Sequence, residues 1–263
     1  MKSERRGMTN DSAVSEAVGF IIIFGIMLTG IGMVTLYGYP VLVQEQQNSN
    51  IRNMERNMIV LQSDINSLTM KYVPYKETAL QVSGGTLKVT PPNEMPGQNF
   101  TITNSSGTLI NNFIPGALVY QADDGNTVVN LENGAVHKRY WNDLTGSAMI
   151  SNPRWFYDSS TSTLVIYLIE INSTNSMAQT GIGNVRMVVS SLPAYSRSDD
   201  FSTSPEIVAI RYQPSPENNF KKAWQNYFAS FPENQYSGTE VKLEIHDVKK
   251  LIVKAYSIQI LSL

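Results

Sequence analysis

The sequence predicts an α+β protein: a long N-terminal helix, kinked near Pro40, leading into a mainly antiparallel, β-sandwich-like domain with one short helix. Three observations carry that prediction. No charged residue falls between Glu16 and Glu45, a stripe of apolar residues at spacings of three and four follows, and beyond Pro74 the apolar period shortens to two. A chain of 263 residues has room for one large or two small domains and a real hydrophobic core.

The charge-free stretch comes first. At about 1.5 Å per residue it reaches roughly 40 Å, more than the ~30 Å of hydrocarbon in a bilayer. It reads as a membrane span over residues 17–43. A cleaved secretory signal has an apolar run of only about 7 to 15 residues closing on small residues, and neither feature occurs here. Arg5 and Arg6 form a twin-arginine pair, but Gly7, Met8 and Thr9 follow where an apolar run would begin. Lys2, Arg5 and Arg6 precede the span and Glu45 opens its other flank, so the positive-inside rule leaves the N-terminus in the cytoplasm and the bulk outside. Glycines at 19, 25, 30, 32 and 38 let helices in lipid approach closely. The span is therefore either a plain single-pass anchor or a helix that packs on other helices. Pro40 kinks it rather than ending it, because helical pattern resumes afterwards.

That resumed pattern is Ile51, Met54, Met58, Leu61, Ile65, Leu68 and Tyr72, an a/d stripe flanked by Arg, Asn, Glu, Gln and Asp. The amphipathic part covers residues 44–73, and Pro74 stops it. Its seam can pack on the protein's own β domain or, as a coiled coil, on the same helix of neighbouring chains.

Residues 74–263 form the β-rich domain. ALQVS and TLKVT, separated by Gly84 and Gly85, predict a hairpin; so do NFTIT with TLINNF, and ALVYQ with TVVNL around Asp123, Asp124, Gly125 and Asn126. Further strands are expected at AVHKRYW, TLVIYLIEI, VRMVVSSL and EIVAIRY, and in the closing VKLEIH and LIVKAYSIQIL. One helix is expected over 216–231, with Phe220, Ala223, Trp224, Tyr227, Phe228 and Phe231 on an apolar face that caps the β core. The loop holding Pro91, Pro92, Pro96 and Gly97 and the stretch 194–205 are expected to be long, polar and exposed. There is no repeat at a constant period.

Signals for chemistry are sparse. Charged residues are 16% of the chain and the net charge is -2, which does not fit a nucleic-acid binder. With no cysteine there is no disulfide, thiolate metal site or cysteine nucleophile. His137 and His246 sit in separate expected strands without a second ligand nearby, so no metal or cofactor is expected. Asp123 and Asp124 read as a turn rather than a calcium loop. No nucleophile elbow, phosphate loop or dinucleotide fingerprint occurs, no small-molecule substrate is identified, and no enzyme is expected. A triad gathered from distant strands would be recognisable only by geometry. Trp155, Phe156 and Tyr157, with Trp141 upstream, are expected in the core, the other reading being an exposed platform for sugars or a partner. Asn-x-Ser/Thr sequons stand at Asn99, Asn104 and Asn172, acceptors if the compartment glycosylates.

The block AVSEAVG, Ala13 to Gly19, behind a short basic leader and opening a long apolar helix, resembles the N-terminus of archaeal type IV pilins and pilin-like proteins. The specific match covers about 25 residues. Downstream, GALVYQADDGNTVVNLENGAVHKRY and TLVIYLIEINS are similar to β-rich outer domains of archaeal surface proteins with this same N-terminus. The resemblance implies a class III leader, residues 1–13, cut by a membrane prepilin peptidase between Ala13 and Val14, with neighbouring bonds as alternatives. It also implies that Glu16 pairs with the freed α-amino group of an adjacent subunit, although Glu16 would then lie two positions nearer the new terminus than the bacterial pattern has it. The implied role is a cell-surface subunit assembling with itself or other pilin-like chains, minor or accessory given its large head. A monomeric anchored binding or adhesion protein is the alternative.

Overall fold

The computed structural model describes residues 10–71, 73–140, 146–215 and 219–263, with the side chains of 10–14, 191 and 192 outside the description. The chain forms two compact units, 1–48 and 49–263. The predicted α+β architecture is present: a long N-terminal helix, a mostly antiparallel β-rich domain and one short helix.

In the first unit, helix α1 (Asn10–Met33) passes through a π-helical turn, Val34–Gly38, into α2 (Tyr39–Met70), which runs on into the second unit. Pro40 explains the π turn. A proline has no N–H for the i−4 bond, and its ring collides with the carbonyl four residues back. Widening the preceding turn relieves this, and the Tyr39 N–H bonds the Val34 carbonyl, five residues back.

In the second unit the strands run β1 (Tyr75–Thr90), β2 (Asn99–Asn104), β3 (Gly107–Phe113), β4 (Ala117–Ala122), β5 (Thr127–Glu132), β6 (Ala135–Tyr140) and β7 (Ser147–Ser151). They continue with β8 (Phe156–Asp158), β9 (Thr163–Ser173), β10 (Ala178–Asp200) and β11 (Glu206–Gln213), then helix α3 (Lys221–Ala229), β12 (Lys242–Val248) and β13 (Lys250–Ser262). A nine-stranded sheet has the order β7-β6-β5-β4-β1-β10-β13-β9-β8, and a four-stranded sheet β12-β11-β2-β3. Among the described residues the parallel pairing is β9 with β13, from Thr163 opposite Lys250 to Ser173 opposite Ile260.

Alternation along the strands gives the large sheet two apolar faces. On β5, Val129 and Leu131 join the core that holds Met54, Met58, Leu61, Ile65 and Leu68 of α2, while Val128 joins the opposite core with the small sheet and α3. The head is thus layered as helix, large sheet, then small sheet with α3. Ile51, Met54, Met58, Leu61, Ile65 and Leu68 are all buried there: of the two readings of the seam, it packs on the protein's own β domain, and the coiled-coil reading is corrected. Their apolar area is already used within the domain. Tyr72 lies outside the described residues.

The hairpins β2–β3 and β4–β5 form as the sequence predicts. Gly84 and Gly85 do not turn the chain: β1 runs through them as one strand, with a register irregularity between Val82 and Leu87. Gly84 takes φ +63°, and Gly85 passes so close to the Gln121 carbonyl and the Tyr120 ring that a Cβ would collide with both. The glycines make a bulge beyond which β1 keeps β10 on one edge, at Leu87 and Lys88, and gains β4 on the other from Gly85 to Thr90. Residues 194–200 are likewise strand rather than loop, with Tyr195 to Asp200 paired against Ala255 to Lys250. Around the proline loop Met95 is buried, so that stretch packs instead of projecting.

Candidate functional site

Two features stand out once the layers are in place: the surface of α1, and a polar group closed inside the head.

Between Ser15 and Leu42, α1 and its continuation expose apolar side chains on every side, with Phe20 at 69% and Leu36 at 71%. This is the helix that is long and apolar enough to cross a membrane. Its two threonine hydroxyls are satisfied locally, Thr29 Oγ1 donating to the Gly25 carbonyl at 2.7 Å and Thr35 Oγ1 to the Ile31 carbonyl at 2.9 Å. Such a surface needs no water. A Cβ at Gly19, Gly25, Gly30 or Gly32 would meet nothing within 4 Å, so contacts within this chain give no reason for those glycines. Glu16 is exposed near the start of α1. Ala13 and Val14 belong to the same helix, but their side chains lie outside the described ones, and residues 1–9 of the expected leader lie wholly outside.

Beyond that apolar length, α2 is fixed to the head by polar contacts beside its stripe. Gln62 Nε2 donates to the Gly134 carbonyl at 2.7 Å and the Asn152 carbonyl at 3.0 Å, and its Oε1 accepts from Ser151 Oγ at 2.7 Å. Lys138 Nζ reaches Glu55 at 2.8 Å, and Lys76 Nζ reaches Asp64 at 3.2 Å. The turn that Gln62 grips is Asn133-Gly134, both at positive φ between β5 and β6, the geometry a two-residue hairpin loop requires.

The polar group lies on the other face of that hairpin. Asn130 and Glu132 of β5 and His137 and Arg139 of β6 point with Val128 and Ala135 toward the small sheet, and Asn130 stands opposite His137. Gln98 just before β2, Tyr212 of β11 and Trp224 of α3 close over them. Asn130 Nδ2 donates to Glu132 Oε2 at 3.0 Å. Among the described residues, the other Glu132 oxygen, Asn130 Oδ1, both polar atoms of Gln98, both ring nitrogens of His137, the Tyr212 hydroxyl and the Trp224 indole N–H lie outside hydrogen-bond geometry with any protein group. Burial pushes the Glu132 carboxyl up to about 7, although Gln98, Asn130 and Trp224 favour its charged form. Burial also pushes the His137 imidazole down to about 3 and the Tyr212 hydroxyl well above its usual range, with Glu132 adding to the latter. The ring of His137 lies 5.0 Å from Phe220 and 5.3 Å from Trp224. At about 1–3 kcal/mol for each buried polar group left unpaired, the group would cancel a stability of about 5–15 kcal/mol, so these atoms need bridging.

The remaining expected sites are scattered. Asn99, Asn104 and Asn172 are half-buried at strand ends, Asn104 Oδ1 accepting from the Ser106 N–H at 3.2 Å and Asn172 Oδ1 from the Ser173 N–H at 2.8 Å. Asp124 caps its own turn through the N–H groups of Asn126 and Thr127, both at 2.8 Å. Burial raises its pKa, but bonds from Thr127 and Asn126 outweigh that and hold it below the usual range. Trp155 is in the core, its indole N–H donating to the Tyr167 carbonyl at 2.7 Å, whereas Phe156 is half-exposed; Trp141 lies outside the described residues. His246 meets Glu244 at 3.0 Å. Among the described residues no cluster of three or more His, Asp or Glu side chains could hold a metal ion.

The sequence reading passed over the polar group, though a signal for it existed. In TVVNLENGAVHKRY, polar residues recur at every second position on both arms of an Asn-Gly turn, which places them on one face of a hairpin.

No curated protein and no solved structure matches the chain. A family model does match residues 13–260, and the chain belongs to that family, DUF7289, a family of unknown function.

Proposed function

We propose that this protein is a non-enzymatic, membrane-anchored cell-surface subunit of the pilin-like class, minor or accessory, that assembles through α1 with copies of itself or related chains. The observation that supports this reading best is the surface of α1: apolar on every side and dotted with glycines that no contact within the chain explains. Lipid alone would be content with Leu at those positions. In this reading the leader is cut between Ala13 and Val14, the N-terminal side faces the cytoplasm and the head lies outside. Glu16 remains hydrated at the membrane edge until it is matched by the α-amino group of a neighbour. The stripe of α2 takes no part in assembly, being covered by the head's own sheet.

The absence of cysteine makes the test clean. Mass spectrometry of protein from native membranes is expected to show a chain beginning at Val14. A single cysteine in place of Ile23 is expected to form α1–α1 crosslinks there, and Glu16→Gln to reduce them. An unprocessed chain that stays uncrosslinked at every α1 position overturns the proposal and leaves a lone anchored binding protein.

A further inference from the structure

The unpaired polar atoms between the sheets restrict what can bridge them. They include donors, the amide of Gln98, the indole N–H of Trp224 and the Tyr212 hydroxyl, and acceptors, Asn130 Oδ1, Gln98 Oε1 and an oxygen of Glu132. His137 adds two more nitrogens, an acceptor and a donor in its neutral form. A metal cation would serve only the acceptors, and an anion only the donors. The bridging species must therefore give and receive hydrogen bonds while carrying no charge.

Two further facts narrow it. The amide of Gln98 and the indole of Trp224 lie beside Glu132 and favour its charged form, so donors and acceptors that miss direct pairing geometry gather around one carboxyl. Glu132, Asn130, His137, Gln98 and Trp224 are also without any exposure to solvent, so a small occupant fits better than a sugar or peptide.

We propose that this inter-sheet space is a built site for resident water, held by Gln98, Asn130, Glu132, His137, Tyr212 and Trp224. Water with two to four polar partners in a buried site is a stable structural component, costly to remove. Through it the β5–β6 hairpin, the small sheet and α3 share polar contacts. The site is independent of how α1 is used.

Nuclear magnetic resonance of the 15N-labelled full chain in detergent micelles tests it at atomic resolution. The Trp224 indole proton is expected to show direct cross-relaxation with water, with the sign of a long-lived contact, despite its burial. Trp155 serves as the control, because its indole N–H is already bonded to the Tyr167 carbonyl, and is expected to show none. Trp224→Phe assigns the signal. Glu132→Gln should keep the water peak, whereas Glu132→Met should lose it; if that variant does not fold, Tyr212→Phe, which removes one hydroxyl and keeps the ring, should weaken it. A wild-type Trp224 proton without a water contact, or a contact unchanged in the Tyr212→Phe and Glu132→Met variants, overturns the proposal.

Discussion

Residues 15–42 and residues 51–69 are both helical and both carry closely spaced large apolar side chains, yet the first set is exposed and the second is buried. The difference lies in what surrounds the apolar positions. In the second stretch they occupy one stripe, flanked by Gln62, Glu55 and Asp64, whose polar ends find Gly134, Lys138 and Lys76 on the head. A stripe has a definite partner, and a sheet face supplies it. The first stretch has no polar side to mark an inward face, so no single contact could cover it, and only a surrounding medium or several neighbours would.

One substitution made in both places separates the two regimes most sharply. Leu61→Ala is expected to lower the unfolding free energy of the head by about 2–5 kcal/mol, by opening a cavity beneath the sheet. Leu28→Ala should change it by less than about 0.5 kcal/mol. Denaturant titration followed by tryptophan fluorescence measures both, and equal effects would break the distinction. Ile26→Arg reverses the asymmetry: at about 2.5–3.5 kcal/mol for a cation at the centre of a span, it should release protein from membranes under carbonate extraction while the head unfolds as before. Retention of the variant in membranes would mean that α1 is not held by lipid. Gln62→Leu is expected to cost about 1–3 kcal/mol, because it strips Ser151 and the carbonyls of Gly134 and Asn152 of their partner. A neutral result would mean that the apolar stripe alone docks α2.

The smallest expected effect comes from pH and concerns the head alone. The carboxyl of Glu132 rises from 4.5 to about 7 on folding, so the stability it brings is complete below pH 4.5 and lost as pH rises through 7. For His137 the shift runs from 6.5 down to about 3, so its share is complete above 6.5 and lost as pH falls toward 3. The two slopes offset each other between 4.5 and 6.5, giving a plateau. Glu132→Gln should remove the decline on the alkaline side and turn the plateau into a continued rise up to pH 6.5, leaving the limb below 4.5 as it was. Unfolding midpoints measured across pH check this; an unaltered alkaline limb would assign the decline to another group.

Much of the fold could be read from residue pattern because its causes are local. Unbroken apolar length marks α1, spacing of three and four marks α2 and α3, and turn residues between alternating runs mark β2–β3 and β4–β5. What escaped depends on partners distant in sequence. Gly84-Gly85 resembles a turn until β4 and β10 are both present to hold β1 straight. The polar residues 194–200 look like loop because their partners on β13 lie fifty to sixty residues further on. Which sheet a strand joins is equally remote: β12 and β13 adjoin in sequence but belong to different sheets. The inter-sheet polar group had a local trace on β5 and β6, whereas Gln98, Tyr212 and Trp224 come to it only through the tertiary fold.

The position of β13 bears on how the head comes into being. It follows every other strand in chain order, yet it lies between β9 and β10 inside the large sheet. A chain emerging from the ribosome N-terminus first can prepare both flanks of this sheet but cannot join them, and pairings so distant in sequence form slowly. Until that keystone arrives the two flanks remain separate and the head stays pliable.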